Sequence, residues 1–214
     1  KRIIGILGGG QLGMMLSNAA KKIGIKTHIY CPEENCPASR VSDFFTKNDY
    51  SNKSAIEKFA KQVDYITYEF ENIPIQTIDF IKNKEKIRPG KKSLLLTQDR
   101  LIEKKFLSEL NIPIAPYKLI EGADDIKNAH IEFNECIIKT RTLGYDGKGQ
   151  ESINSQNNYE EIFKKIKLNS IIEKKIPFDF EVSVIIARDI EKNLCHYPIG
   201  KNVHKNHILK DTFS

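Results

Sequence analysis

The stretch GILGGGQLGMML at residues 5–16 joins a short apolar run to a helical pattern through consecutive glycines. That junction constrains the fold more than any other part of the chain. Residues 3–7 (IIGIL) read as a buried strand. From Gln11 to Ile23 the apolar side chains Leu12, Leu16, Ala19, Ala20 and Ile23 recur at the spacing of one helix face, and Gly24 is placed to end it. A second strand follows at 26–30, closed by Pro32. Next comes a helix at 52–62, capped by Ser51 or Asn52 with Ile56, Phe59 and Ala60 on one face, then a third strand at 64–70. Strand–helix–strand order with short links gives a parallel sheet wound on both faces. The first part is therefore expected to be α/β and Rossmann-like.

The stretch RPGKKSLLLTQDRLIEKKFLSELNIPIAPY (88–117) changes that rhythm. Thr97 is expected to cap a helix running to about Leu110, with Leu101, Phe106, Leu107 and Leu110 toward its core, and Pro113 and Pro116 end it. A boundary near Pro89–Leu96 divides the chain into a first domain at 1–96 and a second at 97–174. The second reads as α+β: strand 117–120, helix 123–133, strand 136–140, a glycine-rich loop at 144–149, strand 150–153, helix 158–167 and strand 170–174. Residues 175–214 begin a further piece, with 179–188 and 194–199 as two strands of another sheet.

Several function classes are set aside by composition and pattern. No run approaches the roughly 18–20 apolar residues of a membrane span, so no membrane partner is expected. Residues 1–8 read as a first strand and not a signal peptide. The formal net charge is +6, from 34 Lys and Arg against 28 Asp and Glu. Only six of those cations are Arg, none clustered among aromatics, so no nucleic-acid partner is expected either. Cys31, Cys36, Cys136 and Cys195 form no CxxC pair and no metal-ligand set; they read as free thiols of a cytoplasmic protein.

Two glycine turns carry the chemistry. Gly8-x-Gly10-x-x-Gly13 has the spacing of the dinucleotide fingerprint. The acidic residue that would hold a ribose at the end of the second strand is replaced by Tyr30-Cys31-Pro32, and Met14-Met15 is bulky after the third glycine. The turn is open to three readings: a tight connection, a phosphate held by the helix N-terminus, or a dinucleotide. The second turn, IIKTRTLGYDGKGQ (137–150), places Lys139 at a strand end before a loop of Gly144, Gly147 and Gly149 that carries Tyr145, Asp146 and Lys148. A lysine beside such a loop suits a nucleotide triphosphate, although GxxxxGK[ST] is absent; a plain hairpin is the alternative. Glu173 and Glu181 flank a turn that suits an adenosine, Arg100 stands in the first turn of its helix, and His204 lies beyond another strand.

Taken together these residues resemble the ATP-grasp superfamily, and within it the ligases that carboxylate a purine precursor. The likeness runs through GGGQLGMM (8–15), YEFENIP (68–74), LLLTQDRLIEKKFL (94–107), IPIAPY (112–117), KTRTLGYDGKGQ (139–150), EKKIPFDFEVSVIIAR (173–188) and YPIGKNVH (197–204). The resemblance implies an ATP-grasp architecture behind a Rossmann-like pre-ATP-grasp domain. It also implies a reaction in which ATP activates bicarbonate as carboxyphosphate, whose carboxyl group passes to the amine of 5-aminoimidazole ribonucleotide, releasing ADP and phosphate. By the same resemblance ATP meets Arg100, Lys139, Gly144, Tyr145, Asp146, Gly147, Lys148, Gly149, Gln150, Glu173, Lys174, Lys175, Ile176, Glu181 and His204. The ribonucleotide meets Gly10, Gln11, Leu12, Tyr145, Asp146 and Lys148, and Lys139, Asp146 and Lys148 take the catalytic parts. Mg²⁺ is implied with ligands downstream of residue 214, none being assigned here, and a homodimer is implied. His207 stands where the family carries glycine. The alternatives are a formate-dependent glycinamide ribonucleotide transformylase or a biotin carboxylase, against which the GYDGKGQ loop and Gln11 argue. Others are a nicotinamide-dependent oxidoreductase and a module that binds ATP without chemistry.

Overall fold

The computed structural model describes residues 2–144, 149–154, 158–166, 169–205 and 208–214. The chain divides into two compact units, Lys1–Phe106 and Leu107–Ser214.

In the first unit, β1 (Ile3–Leu7), α1 (Gln11–Lys22), β2 (Lys26–Cys31), β3 (Phe44–Lys47), α2 (Lys53–Lys61), β4 (Tyr65–Tyr68), α3 (Ile75–Phe80) and α4 (Lys91–Thr97) follow in order. The strands make a parallel sheet of order β3-β2-β1-β4. Alternation along the strands splits the core in two. Leu7, Tyr30 and Ile66 pack with Ile56 and Phe59 of α2, Ile78 of α3 and Leu94 of α4. Ile6, Ile29 and Cys31 form a second cluster, against which Met14 of α1 packs. The doubly wound α/β domain is present as expected. Gly5 is needed on the α2 side, because a Cβ there would stand 2.6 Å from Phe59 Cζ. Asn52 caps α2 through Ala55 N–H at 3.1 Å, and Gly24 follows α1 at φ +74°.

Two local expectations fail. Thr97 closes α4 and donates back to the Ser93 carbonyl at 3.1 Å; it does not cap the next helix. That role falls to Asp99, whose Oδ1 accepts from Leu101 N–H at 2.9 Å at the start of α5 (Arg100–Glu109). The third strand stops at Tyr68, because Glu69 turns back toward the glycine loop. Residues 44–47, between the second strand and the 52–62 helix, add a strand beside β2.

In the second unit, β5 (Tyr117–Ile120), α6 (Ala123–Phe133), β6 (Cys136–Thr140), β7 (Gln150–Ile153), α7 (Tyr159–Lys165) and β8 (Ser170–Lys174) build an antiparallel sheet of order β5-β8-β6-β7. Its core joins Ile120, Cys136, Ile138, Ile153 and Ile172 to Ile126, Ala129 and Phe133 of α6 and Ile162 of α7. Asp125 caps α6 by accepting from Gly122 N–H at 2.9 Å, and Asn158 caps α7 through Glu160 N–H at 3.1 Å.

The segment expected as one strand at 179–188 is two: β9 (Glu181–Ser183) and β10 (Ile186–Arg188). They part because they pair with different partners. β10 joins β11 (Leu194–His196), while β9 joins β12 (Gly200–Lys205), which continues to β13 (Ile208–Phe213). These strands leave Phe178, Phe180, Val182, Ile185, Leu209 and Phe213 exposed. Among the described residues no helix is long and apolar enough to cross a membrane.

Candidate functional site

The sheet of the second unit has two unlike faces, and strand register decides which residues share each. Residues 136, 138, 170 and 172 face the helices, so 137, 139, 171 and 173 face the other way. On that second face Lys139 lies diagonal to Glu173, since Lys139 pairs Ile171 and Ile137 pairs Glu173. Lys139 Nζ donates to Glu173 Oε2 at 2.8 Å, with side-chain exposures of 21% and 8%. Gln150 pairs Lys139 across β6 and β7, and Tyr117 pairs Glu173 across β5 and β8, placing both on the same face. A carboxylate this buried requires its ammonium partner, and a partly exposed ammonium keeps donors to offer an anion. Lys139, Gln150 and Glu173 are thus brought together.

The turn after Lys139 is held from both ends. Thr140 N–H donates to the Gly149 carbonyl at 2.9 Å, and Gly149 adopts φ +70° with Thr140 Oγ1 2.5 Å from where a Cβ would sit. Gly144 is described at its edge. Tyr145, Asp146, Gly147 and Lys148 lie outside the described residues, as does His207. Beyond β8, Lys174 N–H donates to the Pro116 carbonyl at 2.9 Å, and the Lys175 ammonium pairs with Glu135 at 3.1 Å. Ile176 exposes its side chain. His204 lies beyond β11, within β12, and its Nδ1 is 2.8 Å from Glu181 Oε2 on the neighbouring strand. That pair also comes together as a unit. Arg100 opens α5, within the first unit.

A cavity of about 570 Å³ lies in the second unit among Ile138, Thr140, Glu151, Lys165, Asn169 and Ser170. Ile138, Thr140 and Ser170 belong to the helix-covered face, Gly149 and Gln150 also line the cavity, and Lys139 and Glu173 do not. Among the described residues no three His, Cys, Asp or Glu side chains gather in a group able to hold a metal ion.

In the first unit the strand order reverses between β1 and β4, the place where an open parallel sheet leaves a crevice beyond its carboxyl ends. Leu7 pairs Tyr68, which sets Gly8 beside Glu69. The Glu69 carboxylate enters the glycine turn: Oε1 accepts from Gly10 N–H and Oε2 from Gly13 N–H, each at 2.5 Å. The first turn of α1 thereby receives an anion from the protein itself. Gly8, at φ +109°, has room for no Cβ, which would stand 2.4 Å from Glu69 Cγ. Gln11 and Leu12 follow at the exposed start of α1. Burial first, then the charges of Cys31 and Glu69, push the nearby Tyr50 hydroxyl above its ordinary range. Reading the sequence missed Glu69, because its part depends on β4 lying beside β1.

Comparison with known proteins places these features. Residues 1–98 match the family model described as the ribonucleotide synthetase preATP-grasp domain, and residues 105–214 match the ATP-grasp domain. The chain is 42% identical over 217 residues to the bifunctional purine synthesis protein purC/E of Dictyostelium discoideum, covering 99% of this chain and 22% of that protein. It is 36% identical to the N5-carboxyaminoimidazole ribonucleotide synthase of Staphylococcus aureus strain COL, covering 98% of this chain and 56% of that one. A crystal structure of the Staphylococcus aureus N5-carboxyaminoimidazole synthetase complexed with ADP matches with a TM-score of 0.90 at 36% identity, covering 97% and 56% of the two chains. The chain thus spans about half the length of the synthases it matches.

Proposed function

Since this chain belongs to the ATP-grasp family, we propose that it supplies the nucleotide-binding face of an N5-carboxyaminoimidazole ribonucleotide synthase, which uses ATP and bicarbonate to carboxylate 5-aminoimidazole ribonucleotide. The observation that carries this reading is the Lys139–Glu173 pair, set at 2.8 Å on the face of the β5-β8-β6-β7 sheet opposite its helices. Lys139 meets the ATP phosphates there, and Glu173 holds its ammonium in place. Glu181 and His204 meet the nucleoside end, with the backbone of Lys174, Lys175 and Ile176 beside it. Arg100, Gly144 and the loop to Gln150 complete the nucleotide contacts. Asp146 and Lys148, with Tyr145, serve the ribonucleotide and its carboxylation, and Gly10, Gln11 and Leu12 are its further contacts.

The carboxylate of Glu69 at the first glycine turn stands against a dinucleotide there, because it would repel a pyrophosphate placed on the same N–H groups. Mg²⁺ would be held by carboxylates in the part of the synthases this chain does not span, and would supply positive charge to phosphate oxygens. The protein acts in the cytoplasm, as a homodimer.

The test is ATP affinity. Loss of one charge-assisted contact to phosphate costs about 1.5–3 kcal/mol, so Lys139→Ala should weaken ATP binding roughly 10- to 150-fold in calorimetric titration. Equal affinities for variant and parent overturn the assignment.

A further inference from the structure

Cys31 and Cys36 come together at the carboxyl edge of the first sheet, five positions apart in sequence, with their sulfurs 3.0 Å apart. Both are buried thiols. The chain between them, Pro32–Asn35, is exposed, so a single short loop covers the pair. Gly9 passes directly against both sulfurs. A Cβ on that residue would lie 2.3 Å from Cys36 Sγ and 2.6 Å from Cys31 Sγ, and the Gly9 carbonyl accepts from Ala38 N–H at 2.9 Å. The two thiols therefore bracket the glycine turn. Closing them to a bond of about 2.05 Å requires a movement of about 1 Å.

We infer that Cys31 and Cys36 form a reversible intramolecular disulfide under hydrogen peroxide, a modification site that clamps the glycine turn. Cys36 attacks one peroxide oxygen; the O–O bond breaks, and the departing hydroxide takes the proton given up by the Cys36 thiol. This leaves a sulfenic acid and one water. Cys31 Sγ then attacks Cys36 Sγ, the S–O bond breaks, and the hydroxyl group leaves with the Cys31 proton as a second water. Two thiols are oxidised and one peroxide is reduced to two waters; a dithiol reductant restores the pair. The Cys31 thiol has two acceptors in reach of its one proton, Cys36 Sγ at 3.0 Å and the Glu33 carbonyl at 3.2 Å, and the first of these sets the two sulfurs face to face. Burial also pushes the Cys31 thiol up to about 12 and keeps it protonated at neutral pH.

The chain offers a clean readout. Trypsin releases Thr27–Arg40 as one peptide that holds both cysteines and no internal Lys or Arg. After peroxide and trapping of remaining thiols, that peptide should lose the mass of two hydrogen atoms and regain it with dithiothreitol. Backbone amide exchange over Gly8–Gly13 should slow in the oxidised protein. The Cys31→Ser chain has no resolving sulfur, and its Cys36 should pass to sulfinic acid, gaining two oxygens. A peptide that keeps both thiols at a peroxide dose that fully oxidises the exposed Cys195 overturns the site. Ring closure without any change in Gly8–Gly13 exchange overturns the clamp.

Discussion

Glu69→Gln is the substitution that most sharply separates a built glycine turn from an accidental one. The parent carboxylate accepts from two backbone N–H groups, Gly10 and Gly13, at 2.5 Å each. A hydrogen bond to a charged acceptor contributes about 1.5–3 kcal/mol, and a negative charge at the first turn of a helix adds about 0.3–1 kcal/mol. Glutamine keeps one carbonyl oxygen, so one bond survives in weaker, neutral form. Its amino group must face the other N–H, where donor meets donor in a partly buried turn. The net cost is about 2–4 kcal/mol. At about 4 °C per kcal/mol for a unit of this size, the first unit should melt roughly 10 °C lower. The sequence contains no tryptophan, so circular dichroism and calorimetry are the measurements of choice. Glu71→Gln, two residues on, makes the same change of charge and should leave the transition almost in place. If Glu69→Gln melts within about 2 °C of the parent, the carboxylate does not hold the turn and the reasoning fails.

Two other perturbations test the packing of the same unit. Burial holds the His28 imidazole down to about 4, with its ring against Phe59 and Nε2 2.8 Å from Thr46 Oγ1. The unfolded chain takes up the proton first as pH falls below about 6.5, so stability is full above that pH and is lost between 6.5 and 4, by about 2–3 kcal/mol. Melting at pH 7 and pH 4.5 should show a steeper acid loss in the parent than in His28→Gln; parallel losses would contradict it. Gly5→Ala drives a methyl to 2.6 Å from Phe59 Cζ and should destabilise the unit by about 1–3 kcal/mol in urea titration. An unchanged midpoint would show that α2 does not press on β1.

What could be read from sequence follows from how local the signal is. The strand at 136–140, the strand at 150–153 and the helix at 123–133 fall where periodicity placed them, because their apolar positions face one core. The helix start at Asp99 was missed because Thr97 and Asp99 are both good caps, and only packing decides which turn they serve. The division at 184–185 was invisible for a different reason. The stretch FEVSVIIA (180–187) holds no Gly, Pro or Asn to mark a turn, so it does not reveal that its two ends pair with β12 and with β11. At the site, Lys139 and Glu173 each had a motif signal, but their mutual bond depends on a diagonal register between strands that sequence does not print. Glu69 had no signal of its own; its part follows from β4 lying beside β1.

The central claim is a bicarbonate-dependent ATP reaction on 5-aminoimidazole ribonucleotide, and phosphate release measures it directly. The assay compares these 214 residues with the same chain extended to the full length of the synthases it resembles. The extended protein should release phosphate only when ATP, Mg²⁺, bicarbonate and the ribonucleotide are all present, and should lose that release in Lys139→Ala. The 214-residue chain should release none, since it spans about half the length of those synthases. An extended protein that turns over ATP equally well without bicarbonate and the ribonucleotide, or a 214-residue chain that matches its rate, would contradict the account.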